Sequence, residues 1–371
     1  MANKYKMFPS LDGIRAYSAI GIVLMHVKAN MPLNFSGYVY DRVIATMSGL
    51  VFLFMILSAF SLSCGYYEKF KLKEITPDQF YKRRYMRILP FFAILVLIAA
   101  FIPHSPNQTA ISRSSDFILG SSPMPHILQM ALEAFLNITM LFGFLPNFSM
   151  SVMGVGWFLG IIFIFYIFYP FFVFLIDNRF RAWMMFFISL LICLSCMTYF
   201  FTDKFISFSA VPRSFLYNLP FFMAGGLIYL YRDFIYHITS KNQWLWWILS
   251  ILLTIIYWEY GHWNSDFVGV IVTLLTMSIW VCLAIGYEGV LLSNRILRYL
   301  SSISMEIYLC HMMCFRAVSY FHFDKFFPNI HLAYIAVCIL TLLTAIIFSH
   351  VVKYCLIERM VIGKSKLYKV G

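Results

Sequence analysis

The sequence predicts an all-α integral membrane protein, a polytopic bundle of about ten transmembrane helices with both termini in the cytoplasm. Three observations predict it. The 371 residues are 61% hydrophobic and 12% charged, where soluble domains carry charge on roughly a quarter of their residues. The apolar residues gather in repeated runs of about 16 to 23, each long enough to cross a hydrocarbon core of roughly 30 Å as a helix. Lys and Arg alternate unevenly between the loops, 21 of the 28 falling on one side. A lipid-exposed backbone must satisfy its own hydrogen bonds, and no ten-residue alternating barrel pattern is present, so the spans are helices.

The runs lie near 10–30, 46–65, 88–103, 154–176, 182–201, 216–232, 244–260, 266–287, 303–322 and 330–352. An eleventh, 126–144, includes Glu133 and Asn137 and is treated differently. Leaving it uncrossed puts the basic excess in the cytoplasm, as the positive-inside rule requires, whereas counting it as a crossing would invert every later loop. It is therefore expected as a re-entrant or interfacial helix within the outer segment 104–153. Residues 1–371 read as a single transmembrane domain, with the first run a retained anchor and 353–371 a short basic cytoplasmic tail. The net charge of +12 is explained by topology and anionic lipid, so no nucleic-acid partner is expected. The eight cysteines sit mostly inside apolar runs and read as small packing residues, with no metal site.

Chemistry has to be sought among polar residues within the runs, because an Arg, Lys or Asp at mid-membrane costs about 2.5 to 3.5 kcal/mol on insertion scales. The first run carries Asp12, Arg15 and His26. Arg15 and His26 are eleven residues apart, about 20° from a whole number of turns, so they share one face roughly 16 Å apart along the axis. On the functional reading, Arg15 holds an anionic donor at the cytoplasmic mouth. His26 is then a deep imidazole whose ordinary pKa of about 6.5 suits a general base. On the structural reading, Arg15 is a snorkelling anchor and His26 a satisfied core residue. Spacing alone leaves both open.

Five motifs, in order, give the chain a resemblance. LDGIRAYSAIGIVLMH carries Arg15 and His26; FMILSAF carries Ser58 and Ala59; KRRYMRILP carries Arg83, Arg84, Arg87 and Pro90. WFLGIIFIFYIFYP runs from Trp157 to Pro170, and SISMEIYLCH carries Ser304, Glu306, Tyr308 and His311. A final Glu358–Arg359 pair follows. Together they resemble the membrane-bound acyltransferase family 3, whose members O-acylate exported polysaccharides, peptidoglycan and other glycans. Ala59 stands where the family usually has Gly, Met305 and Glu306 replace Tyr and Gly, and Met360 replaces Pro. The resemblance implies a functional His26 and Arg15, with Ser58, Tyr308, His311, Glu306 and Glu358 as further candidates.

The segment around Arg83, Arg84 and Arg87 would, as a helix, turn three guanidiniums into one sector. Guanidiniums bind phosphate oxygens bidentately, and coenzyme A offers a 3′-phosphate and a diphosphate. The cluster is thus a candidate donor site, the alternative being a topogenic charge cluster. Arg316 and His350 have no motif and read as structural. The expected function is a membrane O-acyltransferase, in a bacterial plasma membrane, using acetyl-CoA or another acyl-CoA as co-substrate with no bound cofactor. It would acylate a hydroxyl of a carbohydrate acceptor. The rival classes are a transporter or flippase and a glycan polymerase. A transporter should show paired, Gly/Pro-interrupted halves, which this sequence does not display, and neither rival accounts for a cytoplasmic Arg cluster beside Arg15 and His26.

Overall fold

The computed structural model describes residues 8–101, 135–144, 155–200, 213–261 and 266–357. These fold as helices α1 (Ser10–Asn30), α2 (Leu50–Lys71), α3 (Pro77–Phe101), α4 (Trp157–Ile176), α5 (Arg179–Phe200) and α6 (Phe215–Leu230). There follow α7 (Arg232–Lys241), α8 (Gln243–Tyr260), α9 (Phe267–Gly286), α10 (Arg295–Ser302), α11 (Ser304–Tyr320) and α12 (Ile330–His350). The last continues as π-helix through Val351–Ile357. No strand occurs among the described residues.

Each apolar run expected to span falls on a helix. Among the described residues, five helical stretches are long and apolar enough to cross a membrane: Val39–Lys71, Trp157–Ile176, Arg179–Thr198, Phe267–Gly286 and Ile330–Ile357. An apolar outer surface is also displayed by α8, outside those five, where Ser250 and Tyr257 are the buried residues while Leu245, Ile248, Ile251, Leu252 and Ile255 are exposed. In water that helix would be inside out; against lipid chains its exposed Leu and Ile carry no penalty.

Boundaries moved in three places. The third span, expected to begin near 88, begins as helix at Pro77, where a missing N–H is harmless at a helix start; the basic segment is therefore helical. Residues 135–139 are helical, and after Met140, with φ 57, a 3₁₀ turn follows at Leu141–Phe144. The rest of the expected re-entrant segment, and Glu358 with it, lies outside the described residues. Lys353, expected to open the basic tail, stands within the π-helical extension of α12.

Packing places α1 at the centre, against α2, α9, α10, α11 and α12, so its polar residues face protein. Behind it, α2 and α6 approach closely. Phe52 stacks on Phe221 with ring centres 4.3 Å apart, an aromatic pair worth about 0.5–1.5 kcal/mol beyond burial. A Cβ on Gly225 would collide with the Ile56 carbonyl and lie 2.8 Å from the Ala59 methyl. Small residues let membrane helices touch backbone to backbone. Here the glycine of the contact sits on α6, and α2 passes Ala59 as unbroken helix. Where α2 and α4 end, Lys71 and Tyr67 reach Asp177 at 2.8 and 2.9 Å. Those two hydrogen bonds hold its carboxyl below the ordinary value.

Candidate active site

A cavity of about 230 Å³ opens between α1, α2, α3, α4, α10 and α11. Arg15, Ser58, Arg84, Arg87, Glu306 and Tyr308 line it together, joining residues up to 293 positions apart in sequence. Arg83, the third arginine of the expected cluster, is exposed and is not in its lining. The helix turns it away while Arg84 and Arg87, three apart, stay on the inner face.

Each charge in the cavity is held differently. Arg15 donates to Ser61 Oγ at 3.1 Å and stands 3.7 Å from Asp12, one turn back on α1. Asp12 also accepts from Ser301 Oγ at 2.7 Å, which ties α1 to α10. The guanidinium of Arg84 lies 4.5 Å from the Tyr66 ring centre, a cation–π arrangement. Its Nε is buried with no hydrogen-bond partner among the described residues. Glu306, whose carboxylate required a partner if buried, is 7% exposed and pairs with Lys353 Nζ at 2.8 Å. Lys353 also donates to the Ser302 carbonyl. No motif pointed to Lys353, because its partner lies 47 positions away and the pairing exists only once α11 and α12 pack.

Tyr308 closes the inner end. Its ring meets Phe158 edge-on with centres 5.2 Å apart, and its hydroxyl donates to the Val155 carbonyl at 2.9 Å. One turn further along α11 stands His311, and its ring centre is 5.0 Å from that of His26 on α1. Arg15 lines the cavity, whereas His26 is not in its lining and meets His311 one turn along α11 from Tyr308. His311 is fully buried. Arg213, just before α6, was not singled out from the sequence, yet its charge acts on both His26 and Tyr308. A lone Arg between two apolar runs gives no motif to find it by.

Ser58 lines the cavity but has no hydrogen-bonded base among the described residues, the partner a serine nucleophile requires. Among the described residues no cluster of three or more His, Cys, Asp or Glu side chains is placed to hold a metal. A second cavity, about 550 Å³ between α4, α5 and α6, is lined by Phe165, Phe168, Phe172, Phe215 and other apolar side chains, with Ser189, Ser214 and Cys196 as its polar members. Larger as it is, it offers no cation or base for chemistry.

Comparison with known proteins gives one match. The model of the acyltransferase 3 family, described as an acyltransferase domain, matches residues 8–350. Neither the curated proteins nor the solved structures contain a match to the chain.

Proposed function

From the premise that this chain belongs to the acyltransferase 3 family of membrane proteins, we propose that it moves an acetyl or similar short acyl group from cytoplasmic acyl-CoA to a sugar hydroxyl. The acceptor is a cell-surface or exported glycan, and the membrane is a bacterial plasma membrane. The observation that carries this reading is the single cavity lined by Arg15, Arg84 and Arg87, whose inner end, Tyr308, lies one turn from the His26–His311 contact.

The size of the cavity supports it. Drug-sized pockets run from about 300 to 1,000 Å³, so 230 Å³ accepts a slender pantetheine arm and leaves the nucleotide at the mouth. There Arg84 and Arg87, which line the cavity, meet phosphate oxygens. The thioester carbonyl reaches the Tyr308 level. A sugar hydroxyl gives its proton to His26, its oxygen forms the new C–O bond, and the C–S bond breaks. The proton on the imidazole then passes to the departing thiolate sulfur. Direct transfer is favoured over an acyl-enzyme because Ser58 has no base beside it.

The test is purified protein in liposomes with labelled acetyl-CoA, with and without candidate glycans, following CoA release and acceptor mass. Acceptor-dependent thioester cleavage with an acetyl mass increment is the expected result. Glycan translocation with the thioester left intact would instead identify a transporter or flippase.

A further inference from the structure

The His26–His311 contact holds more than its distance. His311 Nδ1 lies 2.6 Å from the Tyr308 carbonyl oxygen. A carbonyl can only accept, so Nδ1 carries the hydrogen, and in the neutral ring Nε2 is a bare acceptor. That Nε2 is buried with no hydrogen-bond partner among the described residues, at the centre of the bundle, where such an atom calls for a reason. The ring facing it is His26, tilted by 43° with centres 5.0 Å apart. An edge-to-edge N–H···N bond of about 2.9–3.0 Å brings two imidazole centres to about 5 Å. Asn30 bonds the backbone carbonyl of His26, and neither ring nitrogen of His26 is engaged by a hydrogen bond among the described residues.

We propose that His311 is the positioning residue of the transfer reaction: its Nε2 accepts the ring N–H of His26. This fixes the tautomer that leaves the other His26 nitrogen bare toward the acceptor hydroxyl. The inference rests on the acyl-transfer reading. It assigns to a neutral imidazole the task that a carboxylate performs in a Ser-His-Asp triad, holding the base in its working tautomer. A neutral partner suits the depth, because a second buried charge would need its own counter-ion. The chain of order runs from the Tyr308 carbonyl through His311 to His26, while Tyr308 presents its ring to the cavity. Among the described residues, Arg213 and the Tyr308 ring, 5.9 Å from His311, are the other polar groups facing the pair.

The proposal is tested with His311→Asn, His311→Gln, His26→Ala and the double variant His26→Ala/His311→Asn, all in liposomes. Asn reaches the Nδ1 position but places no acceptor where Nε2 stood; Gln reaches further and does. The expected result is a fall in kcat of about 10²-fold for Asn, with KM for acetyl-CoA within about twofold. Gln should recover about tenfold of that loss, and the double variant should be no slower than His26→Ala. Equal losses for Asn and Gln, a KM that rises with the fall in kcat, or losses that multiply in the double variant would each overturn it. A measurement on unaltered protein covers variants that fail to fold. Solid-state ¹⁵N spectra of histidine-labelled protein should show an Nδ1–H tautomer for His311, with Nε2 shifted as a hydrogen-bonded acceptor. An unbonded Nε2 would refute the pairing. Wild-type protein that cleaves no thioester would instead overturn the proposed function, and the spectra would still decide the pairing.

Discussion

The two ends of the site are built from opposite materials. At the cavity end, charges are arranged in partnered sets: Arg15 with Asp12 and Ser61, Glu306 with Lys353, Arg84 over Tyr66. At the deep end, around His26 and His311, the groups in contact are two imidazoles, a tyrosine ring and a backbone carbonyl, with the cation Arg213 near the pair. The difference follows from dielectric. Where water reaches, a formal charge costs little; where it does not, neutral groups carry a smaller standing desolvation cost.

If the deep end performs the chemistry, its loss should be the largest effect. His26→Ala is expected to slow acyl transfer by about 10² to 10⁴-fold, the usual worth of positioned proton transfer, with expression and insertion unchanged. Wild-type rates in a properly folded variant would remove the base from the mechanism.

Next comes the Glu306–Lys353 pair, where the comparison is sharpened by stability instead of rate. Lys353→Met strands a carboxylate that is 7% exposed, and breaking such pairs costs about 3–5 kcal/mol when fully buried. Lys353 keeps 23% side-chain exposure, so the expected loss is smaller, about 1–3 kcal/mol after solvent screening. Thermal unfolding in detergent should show a lowered midpoint that Glu306→Gln, added to Lys353→Met, largely restores. A double variant as unstable as the single one would mean the carboxylate is not what suffers.

The three arginines of α3 provide an internal control. Arg84→Ala and Arg87→Ala should each raise KM for acetyl-CoA by about tenfold, the worth of one charge-assisted hydrogen bond of roughly 1.5 kcal/mol, and leave kcat nearly intact. Arg83→Ala should stay within about twofold, because its side chain is exposed outside the cavity. Unchanged KM for Arg84→Ala and Arg87→Ala in correctly inserted protein would return the cluster to a topogenic role.

The smallest effect belongs to Asp177 at the ends of α2 and α4. Its carboxyl is held low by hydrogen bonds from Lys71 and Tyr67, so its contribution is present above the unfolded value and lost as pH falls through the folded one. As an exposed pair it is worth little. Asp177→Asn should leave transfer rates unchanged and flatten the acid side of the stability profile slightly; a large rate change would place Asp177 in the donor path.

Much of this was readable from sequence because it depends on period and solvent alone. Arg15 and His26 share a face through the 3.6-residue repeat, and the apolar runs announced helices whose outer surfaces α8 displays. The His311 position was legible as a motif. Its partner was not, since α1 and α11 are brought together by packing and no local pattern encodes which imidazoles meet.

The same limit explains the rest. The sequence by itself determined that helices cross an apolar medium and which rare polar residues they carry, because hydrogen-bond satisfaction and insertion energy act locally along the chain. Tertiary structure alone decided that Arg84 and Arg87 face the cavity while Arg83 does not, that Lys353 neutralises Glu306, and that His311 stands against His26. Each of these depends on the rotation of one helix about its axis relative to another. Side-chain volumes at helix contacts set such rotations, as Phe52 with Phe221 and Ala59 with Gly225 do between α2 and α6, and the information is spread over partners far apart in sequence.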